Sequence, residues 1–320
     1  MAGATETDAK IGAEIRAARG RADYDACVEL QREVWGLSDL EITSAIQLIA
    51  TVHAGGLMLV ADAPGEGIVG FSYGFAALTG ETPHLHSDML AVRPAWRGRG
   101  LGLRLKWAQR DAALARGLGL VTWTFDPLRA KNARLNLGHL GAIAREFLPD
   151  LYGRTTSALH HGLATDRLLA RWQLASPRVR RLAAGRPSAA EGARGVLINE
   201  VRTAGGLPQS SDPRLDLEAD RLLLQIPGDW DAVCRADKGL ASEWQAIVRR
   251  GLEASFARGY VAVDLLAARD GSGPRYLLER LTRRRSRRAA PGRTTTRSTN
   301  RRRASRAARR GAARGGRGRR

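Results

Sequence analysis

Apolar positions along this chain fall into short runs of strand period interleaved with stretches of helical period, from about residue 14 to about residue 280. EIRAAR, beginning at Glu14, predicts a strand, Tyr24 to Trp35 an amphipathic helix, and Ser44 to His53 a second helix that ends at Gly55 and Gly56. LMLVADA and GIVGFSYGFAAL, parted by a turn containing Pro64 and Gly65, form a hairpin signal. HLHSDMLAV, from His84 to Val92, is an extended run followed by the turn RPAWRGRGLG and by LRLKWAQRDAALARG at helical spacing. In that helix Leu101, Leu105, Ala108 and Ala112 share a face. LVTWTFDPL predicts a buried strand closed by a turn at Asp126 and Pro127, and Ala130 to Leu140 a short helix with Ala133, Leu137 and Leu140 on one side. The resulting order is β, α, α, β, β, β, α, β, α.

A composition change near Ala175 marks a second region. SPRVRRLAAGRPSAAEGARG reads as a linker or surface excursion, rich in glycine, proline, serine and charge. GVLINEV and DRLLLQI follow as strands, Leu240 to Phe256 as a helix packing through Trp244, Ile247, Val248, Gly251 and Leu252, then YVAVDLLAAR and RYLLE as strands. This organisation places one domain at residues 1–175, a smaller α+β lobe at 176–282 and a tail at 283–320.

The turn after His84–Val92 carries the sharpest chemistry. Backbone N–H groups in the first turn of a helix lack partners, glycines let the chain wrap close to a ligand, and the helix dipole favours negative charge. A diphosphate suits that opening. GxxxxGK[ST] is absent and Leu103 stands where GxGxxG needs its third glycine, which argues against ATP and NAD. The turn does match R-x-x-G-x-G through Arg97, Gly100 and Gly102, between a strand and a helix, and here the chain resembles the GNAT acyltransferases. Trp123 to Gly153 looks like a branch of that superfamily with a C-terminal extension. The resemblance implies an α/β (α+β) fold, a mixed sheet flanked by helices, in an acyl-CoA-dependent N-acyltransferase. Its co-substrate would be acetyl-CoA or another acyl-CoA and its acceptor a primary amine of a small molecule or amino acid, attacked directly with no covalent enzyme intermediate.

By that resemblance Arg97 and Arg99 add charge beside the coenzyme, Gly98, Gly100, Leu101, Gly102 and Leu103 lend amides, and the oxyanion donor falls near Leu90, Ala91 and Val92. A base is sought on the same strand, where His84, His86, Asp88 and Leu90 alternate with Leu85, Ser87 and Met89 and so form a polar stripe. A histidine titrates near neutrality and can take the ammonium proton, while Asp88 either orients the imidazole or acts as the base itself. The stripe reads equally well as the solvent face of a half-exposed strand. The helix NARLNLGHLG lacks the tyrosine that many GNAT enzymes use as acid, so His139 and Tyr152 are its substitutes, with a helix-end cap and a packing residue as the plainer alternatives. Asn132 either bonds the pantetheine arm or caps its short helix. His160 and His161 read as loop residues.

Charge changes the picture only at the end of the chain. Of the formal net charge of +20, residues 283–320 supply +17 with no acid, leaving +3 for the rest. That tail lacks aromatics and any apolar period, so it is expected to be disordered. Seventeen arginines suit loose, sequence-independent contact with nucleic acid, and a polyanion-binding protein with an inactive GNAT-like domain is the alternative reading. An extension without a role of its own fits the same composition. The hydrophobic fraction, 43%, is ordinary for a globular chain, no run reaches the eighteen apolar residues of a membrane span, and the first residues do not read as a secretory signal, so a cytoplasmic protein is expected. Cys27 and Cys234 form no CxxC pair or zinc spacing, so neither a disulfide nor a metal site is expected.

Overall fold

A computed structural model describes residues 12–280, apart from 154, 158, 159, 189, 191 and 268–272. The expectations for the arginine-rich tail and for the first residues lie outside that range. The strands are β1 (Glu14–Ala17), β2 (Leu57–Ala63), β3 (Gly67–Thr79), β4 (Thr82–Val92), β5 (Leu120–Phe125), β6 (Ile143–Leu148), β7 (Arg167–Gln173), β8 (Val196–Leu197), β9 (Val201–Ala204), β10 (Leu207–Ser210), β11 (Arg221–Gln225), β12 (Tyr260–Leu266) and β13 (Arg275–Arg280). Eleven of them form one mixed sheet in the order β1-β2-β3-β4-β5-β7-β6-β12-β13-β11-β8, and β9 and β10 pair separately.

Helices cover the two faces by the alternation of the strands. Helix α1 (Gly20–Trp35) and helix α2 (Ala45–His53) pack Cys27, Leu30 and Leu48 on Met58, Val60, Phe71 and Tyr73. Helix α3 (Leu101–Ala115) lies on the alternate residues Leu57, Leu59, Leu85, Val121 and Trp123. Its buried stripe differs from the predicted one. Leu101 and Leu105 are buried, but Lys106, Gln109 and Ala113 complete the face, while Ala108 and Ala112 are only partly covered. The helix is rotated so that Lys106 meets the rings of Trp123 and Trp172.

Ala130–Leu140 keeps its predicted apolar side, with Ala133, Leu137 and Leu140 fully buried, but only Ala130–Ala133 is α-helical; Arg134–His139 is wound as a π turn. The Trp172 indole and the Arg178 guanidinium donate to the carbonyls of Leu140 and Leu137 as that turn ends. β6 and β7 were not predicted: short mixed runs such as IAREFL and RLLARWQ do not separate strand from helix by period.

The region after Ala175 continues the same sheet. Ala262 of β12 pairs with Ala144 of β6, and one hydrophobic core runs from Leu57 and Trp172 to Trp244 and Tyr276. The expected linker starts as a helix, Pro177–Ala183, capped by the Ser176 hydroxyl and anchored by buried Val179. Among the described residues no helix is long and apolar enough to cross a membrane.

Candidate active site

β4 and β5 run parallel but pair only through Leu85 with Val121 and His86 with Thr122. Both continue, to Val92 and Phe125, so beyond His86 they diverge and leave a V-shaped gap. On its other edge β4 stays paired to β3 as far as Val92, and the Arg93 N–H donates to Val69 O at 2.9 Å. Alternation in an antiparallel pair therefore turns the Ala91 backbone towards β3, and those of Leu90 and Val92 towards the gap. Leu90 and Val92 thus border the opening, whereas Ala91, 1% exposed, does not. Val92 O receives the Nε–H of Arg97 at 3.0 Å, so the guanidinium of Arg97 folds back on the strand end.

A β-bulge interrupts β4 at its closed end. Tyr73 faces Met89 and Gly74 faces Ser87, which leaves Asp88 without an opposite residue. Gly74 permits this, because a Cβ there would lie 2.7 Å from the His86 carbonyl oxygen. The extra residue resets the alternation, and the predicted stripe comes apart. Leu90 joins the α3 side of the sheet. His84 is 4% exposed with Nδ1 3.3 Å from the Thr82 carbonyl, a buried side chain rather than a surface one.

His86 and Asp88 remain accessible. His86 is half-buried, with Nδ1 2.9 Å from Thr122 Oγ1 and its ring 5.1 Å from that of Phe75. Burial foremost, then His84 and Lys106, push its pKa below 6.5, so the imidazole is neutral at pH 7 and able to accept a proton. Asp88 is exposed, and desolvation raises its carboxyl above the usual range. Beside them, α2 and β3 leave a cavity of about 320 Å³ lined by Gln47, Ala50, Thr51, Ala54, Phe75 and Ala76.

Tyr152 enters from the segment between β6 and β7, its hydroxyl 2.9 Å from Thr124 Oγ1 and the Arg167 guanidinium carbon 5.3 Å from its ring centroid. Thr122 and Thr124 lie on one face of β5 two residues apart, about 7 Å along a strand. His86 and Tyr152 are thereby brought to the same side of the sheet, through threonines that carry no recognisable motif. His139 is not brought there. It is exposed at the end of the π turn, its charged neighbours being Arg134 and Asp264 of β12. Asn132 is exposed inside its short helix, whose cap position is Arg129, so it does not cap that helix.

The turn beyond β4 ends at Gly100, the N-cap of α3, with φ +81° and no side chain bonded to the helix amides. Arg104 N–H returns to Gly100 O, so the uncapped first-turn donors are those of Leu101, Gly102 and Leu103. Gly98 also has positive φ, and Arg99 stacks on Trp96 at 4.8 Å. Cys27 and Cys234 are buried, with burial raising both thiols, so neither suits a nucleophile. Among the described residues no group of three His, Cys, Asp or Glu could hold a metal ion.

Comparison with known proteins matches residues 24–135 to the Acetyltransferase (GNAT) family. No curated protein sequence matches the chain. Among solved structures, yncA from Salmonella typhimurium with its cofactor acetyl-CoA is 21% identical at a TM-score of 0.40, over 51% of this chain and 95% of that one. The ribosomal-protein-S18-alanine N-acetyltransferase from Escherichia coli is 15% identical at 0.41, over 51% and 95%. A ribosomal-protein-alanine N-acetyltransferase from Brucella melitensis is 19% identical at 0.40, over 49% and 98%.

Proposed function

Starting from the GNAT acetyltransferase domain at residues 24–135, we propose that this chain moves an acyl group, acetyl foremost, from acyl-CoA to a primary amine of a small molecule or amino acid. The observation that carries the reading is the gap between β4 and β5, which leads to an uncapped helix N-terminus. A diphosphate at Leu101–Leu103 meets three amides and the positive end of the α3 dipole, and Arg97 and Arg99 add charge nearby. The pantetheine arm then runs along the open edge of β4 towards the bulge. The N–H of Leu90 is aimed where a thioester oxygen would gain charge.

The amine reaches the carbonyl from the α1–α2 side, where His86, Asp88 and Tyr152 stand and the cavity beside Phe75 receives the rest of the acceptor. His86, neutral at pH 7, takes the ammonium proton directly or through water, with Asp88 as its neighbour at the bulge. Tyr152 holds the acceptor. The test uses the full-length chain: a thermal shift with acetyl-, succinyl- and longer acyl-CoA, then thiol release with a panel of amines. Gly100→Val places a β-branched side chain at φ +81°, a cost of roughly 1–2 kcal/mol on the turn. It is expected to weaken acetyl-CoA binding at least about tenfold. Absence of any shift in the wild type, or full turnover by Gly100→Val, refutes the assignment.

A further inference from the structure

Helix α3 buries an ammonium on the face it turns to the sheet. Lys106 is 3% exposed. Its Nζ donates to Ser87 Oγ at 3.0 Å and Gln109 Oε1 at 2.9 Å, and lies 3.8 Å from the Trp123 ring centroid and 5.7 Å from that of Trp172. Desolvation pushes it down to about 7, so it exchanges a proton near neutrality. A buried cation without a counter-ion is expensive, and an apolar residue of similar volume would stabilise the core as well or better. Packing alone is a poor account of this lysine.

Its position suggests a better one. Ser87 is the first residue of β4, and Trp123 the first of β5, beyond the last pair joining these strands. Lys106 therefore underlies the closed end of the gap, on the face opposite His86. From Val92 back to Ser87 is roughly 17 Å of strand, a length that an extended pantetheine arm can follow to bring its sulfur to the bulge. The groups facing Lys106 are, from β4, His86 across the strand; from β5 and β7, the two tryptophans; and from its own helix, Gln109 and Arg110, which is engaged by Leu174 O and Asp111. Among the described residues no carboxylate is paired with it.

Resting on the acyl-transfer reading above, we propose that Ser87, backed by Lys106, protonates the departing coenzyme A thiolate. The amine nitrogen forms its bond to the thioester carbon, and the tetrahedral adduct collapses with cleavage of the C–S bond, sulfur keeping the electron pair. The Ser87 hydroxyl proton passes to sulfur and a Lys106 ammonium proton passes to Ser87 oxygen. The acceptor nitrogen sheds two protons through His86 on the other face, the ammonium proton before attack and a second from the tetrahedral adduct; one is the net proton released to solvent, and the other balances the proton that Lys106 regains from water through Ser87 once the thiol has left.

The test compares wild type, Lys106→Met, Lys106→Arg and Ser87→Ala, all full-length, by kcat against pH, acetyl-CoA KM and melting temperature. Lys106→Met is expected to keep or raise the melting temperature, to change KM less than threefold and to lower kcat about 10²-fold below pH 7. The ratio of wild-type to Lys106→Met kcat should then shrink about tenfold per pH unit above 7, as the wild-type lysine itself loses its proton. Arginine, which holds its proton, should not restore turnover, and Ser87→Ala should share the defect. A ratio independent of pH, rescue by Lys106→Arg, or normal turnover by Ser87→Ala overturns the proposal; if Lys106→Met does not fold, Ser87→Ala decides. Wild-type turnover with unaffected variants sinks this inference alone, whereas a wild type inert with every donor and amine sinks the acyltransferase reading and this with it.

Discussion

His160 shows how a residue without a sequence signal acquires a physical role. Its Nε2 accepts from Arg167 at 2.7 Å and its Nδ1 lies 2.8 Å from Thr155 Oγ1. Burial first, then Arg167 and Arg129, lower its pKa to about 4. An unfolded histidine titrates near 6.5. Between that value and about 4 the unfolded chain therefore binds a proton that the folded chain refuses, and stability falls as pH is lowered through this window. The melting temperature is expected to decline from pH 6.5 to 4, and His160→Gln to flatten the decline; an unchanged slope in the variant would assign the acid sensitivity elsewhere. Adjacent histidines in a loop carry no periodicity, so only their packing distinguishes this one from His161, which instead meets Asp231 at 2.9 Å.

At the scale of elements, the decisive feature is the irregularity of β4. Strict alternation predicts His84, His86, Asp88 and Leu90 on one face, and the bulge divides them. A bulge adds one residue to one strand only, and its cause here lies on the neighbouring strand, where Gly74 lets the His86 carbonyl approach. The helix after the turn shows the same dependence on a distant partner, since Trp123 and Trp172 determine that Lys106 faces inward. The open edge of β4 has its own test. Because the Leu90 N–H points to the gap rather than to β3, proline at that position removes no ladder bond. Leu90→Pro is expected to fold, with a melting temperature lowered only by the lost packing of the Leu90 side chain on the α3 side, yet to lose about 10²–10³ in kcat if that amide stabilises the oxyanion. Near-normal turnover would assign the oxyanion to another donor.

For the molecule as a whole, the regions before and after Ala175 share one sheet and one core. Cutting the chain there would expose the β6 edge, where Ala144 pairs with Ala262, and remove the Arg178 guanidinium from the Leu137 carbonyl; Ala144 and Leu137 are both 0% exposed. Residues 12–280 are therefore expected to unfold in one transition, and a chain ending at residue 175 to aggregate. A monomeric 1–175 fragment with its own sharp melting transition would contradict this. Such continuity is hard to read in advance, because the residues that join the two parts are the short strands β6 and β12, whose pairing is a long-range event.

Local chemistry was legible in the amino-acid order. Glycines at positive φ, a helix start without a cap, and alternating or 3.6-residue apolar periods are dictated by neighbours a few residues apart, and they mark the turn at Arg97–Leu103, the strand before it and the helix after it. What only the tertiary structure decided are relations between segments far apart in the chain: where β4 and β5 part, that Thr122 and Thr124 gather His86 and Tyr152, that His139 faces β12 instead, and that two tryptophans cover a lysine. Those depend on which surfaces exclude water together, a property of the packed whole that no short window of sequence contains.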